Sequence, residues 1–260
     1  MTVVVITGSS RGIGFGLARE FLRRGCTVAV CSRRAEAVDR AAAGLAAAFG
    51  TDRLLARPCD VTDADSVQSL WDASVSRFGA VDIWINNAGI GHRPSGLADL
   101  EPRELRAVVE TNLLGLLHGC RTAARGMRSR GRGAIYNLEG LGSDGRRMRG
   151  LGLYGATKRA VAYLTDSLAD ELKGSGVIAG AIRPGMVLTE LITSQYTGRE
   201  EEWRKLQRMF RILAADVEEV TPWVAGRVLA NRRNGARIRY GGAGRMLARL
   251  VRSLLPPGEG

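Results

Sequence analysis

Short runs of β-branched and aliphatic residues alternate along the chain with longer stretches whose apolar positions recur at helical spacing. VVVIT at 3–7 reads as a strand buried on both faces, followed by a glycine turn and a helix to about residue 24. TVAVC at 27–31 predicts a second strand and the alanine-rich segment 35–49 a second helix. RLLARPC at 53–59 is a weaker third strand, and 63–77 a helix with Asp63 or Thr62 as its cap. VDIWIN at 81–86 precedes one long helix over about 102–128. GAIYNL at 133–138 precedes a helix over 153–173, and VIAGAI at 177–182 and ARIRY at 236–240 complete the strands. This rhythm predicts an α/β fold, a doubly wound parallel sheet of about seven strands with helices on both faces, in a single domain. No internal repeat and no linker interrupts it.

Two segments stand outside the alternation. Residues 189–213 form a polar-amphipathic insert before the last sheet helix. In the tail at 241–260, Met246, Leu247, Leu250, Val251, Leu254 and Leu255 share one helical face, and Arg245, Arg249 and Arg252 the other. Such a helix docks on its own core or another subunit, or touches a membrane peripherally; the pattern leaves both open. The expected organisation is one domain over 1–240, including the insert, and an amphipathic tail.

Composition narrows the classes. With 45% hydrophobic residues in 260 the chain can bury a full core, and no apolar run is long enough to cross a bilayer. No signal or transit peptide is legible at the N-terminus, which predicts a cytoplasmic protein, or one whose presequence is absent from this sequence. The net charge of +12 is almost all arginine, since lysine occurs only at 158, 173 and 205. Without a zinc finger or an aromatic-studded RNA motif, that charge does not predict nucleic-acid binding. Cys26, Cys31, Cys59 and Cys120 lack CxxC spacing and read as buried thiols. His92 and His118 are isolated, so no metal is expected.

TGSSRGIG at 7–14 follows the first strand and opens the first helix. Gly8 permits a sharp turn, and Gly12 and Gly14 allow close backbone approach where helix amides and the helix dipole favour a pyrophosphate. In that context a glycine trio is a dinucleotide signal. The second strand ends in CSRR, with Ser32, Arg33 and Arg34 and no carboxylate before Glu36. Together with Arg11, these cations favour a 2′-phosphate, so NADP(H) is expected over NAD(H). Asp60, followed by Val61, is placed for the adenine amino group or for a turn.

TGxxxGxG, NNAG at 86–89, Asn112, YxxxK at 154–158 and PG at 184–185, in this order, resemble the short-chain dehydrogenases/reductases over roughly residues 3–240. The resemblance implies a Rossmann-type domain and a reductase moving hydride between a nicotinamide and a carbonyl. Thr7, Gly8, Ser10, Arg11, Gly12, Ile13 and Gly14 match its phosphate loop, and Asn87, Ala88 and Gly89 its cofactor-packing segment. Pro184, Gly185, Val187 and Thr189 match the loop that binds the carboxamide. Tyr154 is then the proton donor. Lys158, one helical turn on, is expected to lower its pKa beside the cationic nicotinamide of the oxidised cofactor, and it resembles the family lysine that holds the nicotinamide ribose. Asn112 matches an asparagine that supports a relay water. The family commonly forms dimers or tetramers through the helices near 102–128 and 153–173.

The segment YNLEGLGSDG at 136–145 departs from the family pattern. Glu139 and Gly140 stand where a serine pair is usual, and Leu141 falls thirteen residues before Tyr154. Ser143 is the serine left to hydrogen-bond the substrate oxygen. The acidic-Gly-x-Gly-Ser-Asp-Gly run, with ATKRAV at 156–161 and PGMVLTEL at 184–191, resembles the chlorophyll(ide) b reductases, a subgroup of this family. That implies NADPH-dependent reduction of a 7-formyl group on a chlorin, beside photosynthetic membranes. A general ketone or 3-oxoacyl reductase remains an alternative, as does a catalytically weak NADP(H)-binding regulatory protein.

Overall fold

The computed structural model describes residues 1–241; the amphipathic tail expected at 241–260 lies, from 242 on, outside the described residues. Seven strands form one parallel sheet in the order β3-β2-β1-β4-β5-β6-β7. They are β1 Val3–Ile6, β2 Thr27–Ser32, β3 Leu54–Pro58, β4 Ile83–Asn86, β5 Gly133–Leu138, β6 Val177–Arg183 and β7 Ala236–Arg239. Each falls within two residues of its expected place. The weak third strand proves to be a half-exposed edge.

Because helices cover both faces, alternate residues of one strand enter opposite cores, which is why the strands read as unbroken apolar runs. Val4, Ile6, Ile83, Ile85 and Tyr136 pack under α1 (Gly12–Arg23), α2 (Ala35–Phe49) and α9 (Val217–Ala230). Val5, Trp84 and Ile135 pack under α3 (Ala64–Phe78), α5 (Gly115–Arg128) and α6 (Gly152–Glu171). Asp63 caps α3, accepting from the Asp65 amide at 2.9 Å. All four cysteines are buried and free.

The long helix expected over 102–128 is divided. It begins as α4 (Pro102–Val109), widens into a π-helical turn at Glu110–Leu114, and continues as α5. Asn112 sits in that turn, whose extra residue re-aims side chains in a way no hydrophobic period encodes. The insert folds as α7 (Glu190–Thr193), a 3₁₀ turn at Ser194–Tyr196 and α8 (Glu200–Leu213). Tyr196, Trp203 and Phe210 stack through it at centroid spacings of 5.6 and 5.5 Å.

Candidate active site

The winding of the sheet reverses between β1 and β4, and their C-terminal ends diverge into separate loops. Gly8 turns away with φ +63°, and a Cβ on it would stand 2.7 Å from Ala88 Cα. Thr7 Oγ1 accepts from the amides of Asn87 (3.0 Å) and Ala88 (3.1 Å). Asn87 Nδ2 donates to the carbonyls of Thr7 and Gly8, each at 2.8 Å. Four hydrogen bonds therefore tie the glycine turn at 7–14 to the segment after β4.

Ser10 and Arg11 lead into α1, whose first turn holds no acidic residue and no side-chain cap. Among the described residues, the amides of Gly12, Ile13 and Gly14 have no protein acceptor. Three free amides beside Arg11 fit the diphosphate of a dinucleotide. At the end of β2, Ser32 donates to the Arg34 carbonyl (3.4 Å) and Arg33 is exposed. Asp60 Oδ1 accepts from the Thr62 amide (3.0 Å) and hydroxyl (2.8 Å), a turn role, and the carbonyl of buried Val61 meets His118 Nδ1 at 3.0 Å. The loop after β6 closes toward α1. Pro184 and Val187 are buried, Gly185 is exposed, and Thr189 lies 3.6 Å from where a Gly12 Cβ would be. Beside Thr189, Glu190 pairs with Arg11.

Helix α6 carries the expected reactive pair, Tyr154 and Lys158. Lys158 is buried, and its Nζ donates to the Leu138 carbonyl at 3.1 Å, 5.8 Å from the Tyr154 ring centroid. A Cβ on Gly89 would lie 3.3 Å from Asn112 Oδ1 and 3.6 Å from Lys158 Nζ, so these three residues meet at one point. Asn112 exchanges two 2.8 Å bonds with the Ile90 backbone and donates to Thr157 Oγ1 at 3.2 Å. Thr157 donates in turn to the Tyr154 carbonyl at 2.8 Å. Tyr154 Oη has no protein hydrogen-bond partner among the described residues.

Burial dominates the protonation of this pair. It pushes the Tyr154 phenol up to about 12. It brings the Lys158 ammonium down to about 8, opposed by the attraction of Glu139. In the protein alone, then, Lys158 does not bring the tyrosine's pKa down. The ammonium is turned toward a carbonyl, and desolvation of the phenolate outweighs it.

The segment after β5 differs from its reading by spacing. It is Gly140, not Leu141, that faces the reactive pair: a Cβ on it would stand 2.6 Å from Tyr154 Oη. Counting forward from the strand end locates this position, whereas counting back from Tyr154 misses it by one. Ser143 is buried, and its hydroxyl donates to the Gly140 carbonyl at 2.7 Å.

Three further groups escaped the sequence. Glu139 is buried with its carboxylate between Arg183 (2.5 and 2.6 Å to Oε2) and Arg237 (3.4 Å to Oε1). Buried His92 accepts from the Tyr154 amide through Nε2 at 3.4 Å. Thr157 ties Asn112 to α6. Each joins segments remote in sequence, and no local motif marks them.

Chlorophyll(ide) b reductase NOL of Arabidopsis thaliana is 39% identical over 232 residues, covering 87% of this chain and 65% of that protein. Its counterpart in Oryza sativa subsp. japonica is 41% identical over 207 residues, covering 77% and 60%. The chain thus spans less than two thirds of the length of these plant relatives. Among solved structures, a variant of actinorhodin polyketide ketoreductase with NADPH superposes with a TM-score of 0.81 at 28% identity, covering 92% of this chain and 95% of that one. The pattern of the short chain dehydrogenase family matches residues 2–200, from β1 to the start of α8. The chain belongs to that family and is an oxidoreductase of its kind.

Proposed function

We propose that the protein reduces the 7-formyl group of chlorophyll(ide) b to hydroxymethyl, using NADPH. The observation that carries the reading is the convergence of Gly89, Asn112 and Lys158 beside an unpartnered Tyr154 hydroxyl, in a chain about 40% identical to plant chlorophyll(ide) b reductases. NADPH, when bound, supplies the hydride that adds to the formyl carbon. Tyr154 gives its proton to the oxygen, so the aldehyde becomes a primary alcohol. Lys158, held between Leu138 and Gly89, places positive charge beside the phenol and reaches the ribose. Asn112 holds the loop at Ile90 against α6 and keeps the tyrosine in register. Ser143 we read as the anchor of the turn at Gly140, because its hydroxyl proton is used there.

The insert fits a roof over a wide, hydrophobic carbonyl substrate: the Tyr196–Trp203–Phe210 stack, buried at Phe210, gives it an aromatic interior suited to stand beside a chlorin. Exposed Leu114, Leu117 and Tyr163 on the α5 and α6 side suit a homodimer or homotetramer. The plant relatives carry chloroplastic names, which supports a place beside photosynthetic membranes. No helix of the described residues is long and apolar enough to cross a membrane.

Purified protein with NADPH and chlorophyllide b is expected to form the 7-hydroxymethyl product, read by absorption and chromatography. Turnover of simple ketones without that product would replace this reading with a general ketoreductase. For the cofactor, exposed Arg33 at a strand end without a carboxylate supports a 2′-phosphate contact. Arg33→Ser is expected to raise KM for NADPH roughly tenfold, the loss of one charged hydrogen bond, with KM for NADH unchanged. Equal effects on both cofactors would remove the 2′-phosphate assignment.

A further inference from the structure

We propose that Gly140 is a positioning residue, a bare backbone seat that sets the place of the Tyr154 hydroxyl and that any side chain there would displace. Three observations exclude the ordinary reasons for a glycine. Its φ is not among the positive values, so its backbone conformation does not require glycine. Gly142, two residues on, does require it, with φ +95° and Gly155 Cα 2.5 Å from where its Cβ would be. A Cβ on Gly140 meets Tyr154 Oη at 2.6 Å, then Lys158 Cγ and Cε at 3.3 and 3.4 Å, and no other atom stands nearer. The nearest obstacles to a side chain at 140 are thus the atoms of Tyr154 and Lys158.

Such a contact forces something to move, and the surroundings decide what. Gly140 is held on both sides. The Glu139 amide donates to the Ile182 carbonyl at 2.8 Å, and the Glu139 carboxylate is clamped by Arg183 and Arg237. On the other side, Ser143 donates to the Gly140 carbonyl through its amide at 3.1 Å and its hydroxyl at 2.7 Å. Lys158 is fixed by Leu138. The phenol end of Tyr154 is the member of the contact that no hydrogen bond restrains, so it yields. The tyrosine's own oxygen fills the space into which a side chain at 140 would project. Placing serine at 140 is therefore predicted to harm the site.

The test is a double-mutant cycle of Gly140→Ala and Tyr154→Phe, read by thermal unfolding, with kinetics on Gly140→Ala and Gly140→Ser. If the added carbon collides with Oη, Gly140→Ala lowers Tm with the tyrosine present, and by less than half as much in the Tyr154→Phe background. Equal losses in both backgrounds would overturn the proposal, because a backbone or loop effect is indifferent to the hydroxyl. The kinetic arm rests on the reading of Tyr154 as proton donor; the unfolding arm does not, so the two can fail separately. In the kinetic arm kcat falls roughly tenfold to a hundredfold, the cost of misplacing a reacting group by a fraction of an ångström to about 1 Å. NADPH Kd stays within about threefold. Wild-type kcat in both variants would overturn it equally.

Discussion

Replacing Tyr154 by phenylalanine is expected to lower kcat for carbonyl reduction roughly 10²–10⁴-fold, the range for losing a positioned general acid. NADPH binding should be nearly unchanged, since the substitution deletes one oxygen with no protein partner and keeps the ring. The effect should appear in kcat and kcat/KM alike, as for a group engaged chiefly in the transition state. The protonation pattern adds a second expectation. With its phenol at about 12, Tyr154 remains a proton donor across the accessible range, so it does not set the alkaline limit. Lys158 does: its ammonium loses its proton near 8, and kcat/KM should fall as pH rises through that value. Activity retained in Tyr154→Phe would remove the acid assignment. An alkaline limb that vanished in this variant would move the titration from the lysine to the tyrosine.

Glu139→Ala is expected to destabilise the fold by about 3 kcal/mol, the lower end for removing one partner of a buried ion pair. The lower end applies because Arg183 and Arg237 are partly exposed and keep Asp144 at 3.7 Å and Asp166 at 2.6 Å. For a chain of this size that is roughly a 6–12 °C fall in Tm. The carboxylate joins the ends of β5, β6 and β7, so its loss loosens the wall that carries Gly140. Glu139→Gln keeps the shape and removes the charge. Because Glu139 raises the Lys158 pKa against desolvation, the lysine should then lose its proton at lower pH, and the alkaline limb should move down. A Glu139→Ala melting curve superposable on wild type would mean that the arginines are satisfied without it.

The sheet and its helices were legible in the chain because the central strands are buried on both faces and the helices on one. The cofactor end was legible for a related reason. A turn of free amides at a helix N-terminus needs glycines at fixed offsets, and 7–14 carries them in sequence. Tyr154 and Lys158 were legible because one helical turn sets their spacing.

What escaped lies at junctions between distant segments. The π turn at Glu110–Leu114 is invisible to a hydrophobic period, since it changes where Asn112 points without changing which residues are apolar. The clamp on Glu139 joins residues 139, 183 and 237, whose nearness follows from strand order alone.

The sequence by itself determined the doubly wound fold, the dinucleotide turn and the tyrosine–lysine pair, because local spacing is enough for each. Only the tertiary structure decided that Gly140 faces the tyrosine hydroxyl, that Ser143 turns back on Gly140, and that burial outweighs Lys158 in setting the phenol's pKa. Those depend on distances across the folded chain and on how much water the fold removes, and neither quantity is written in residue spacing.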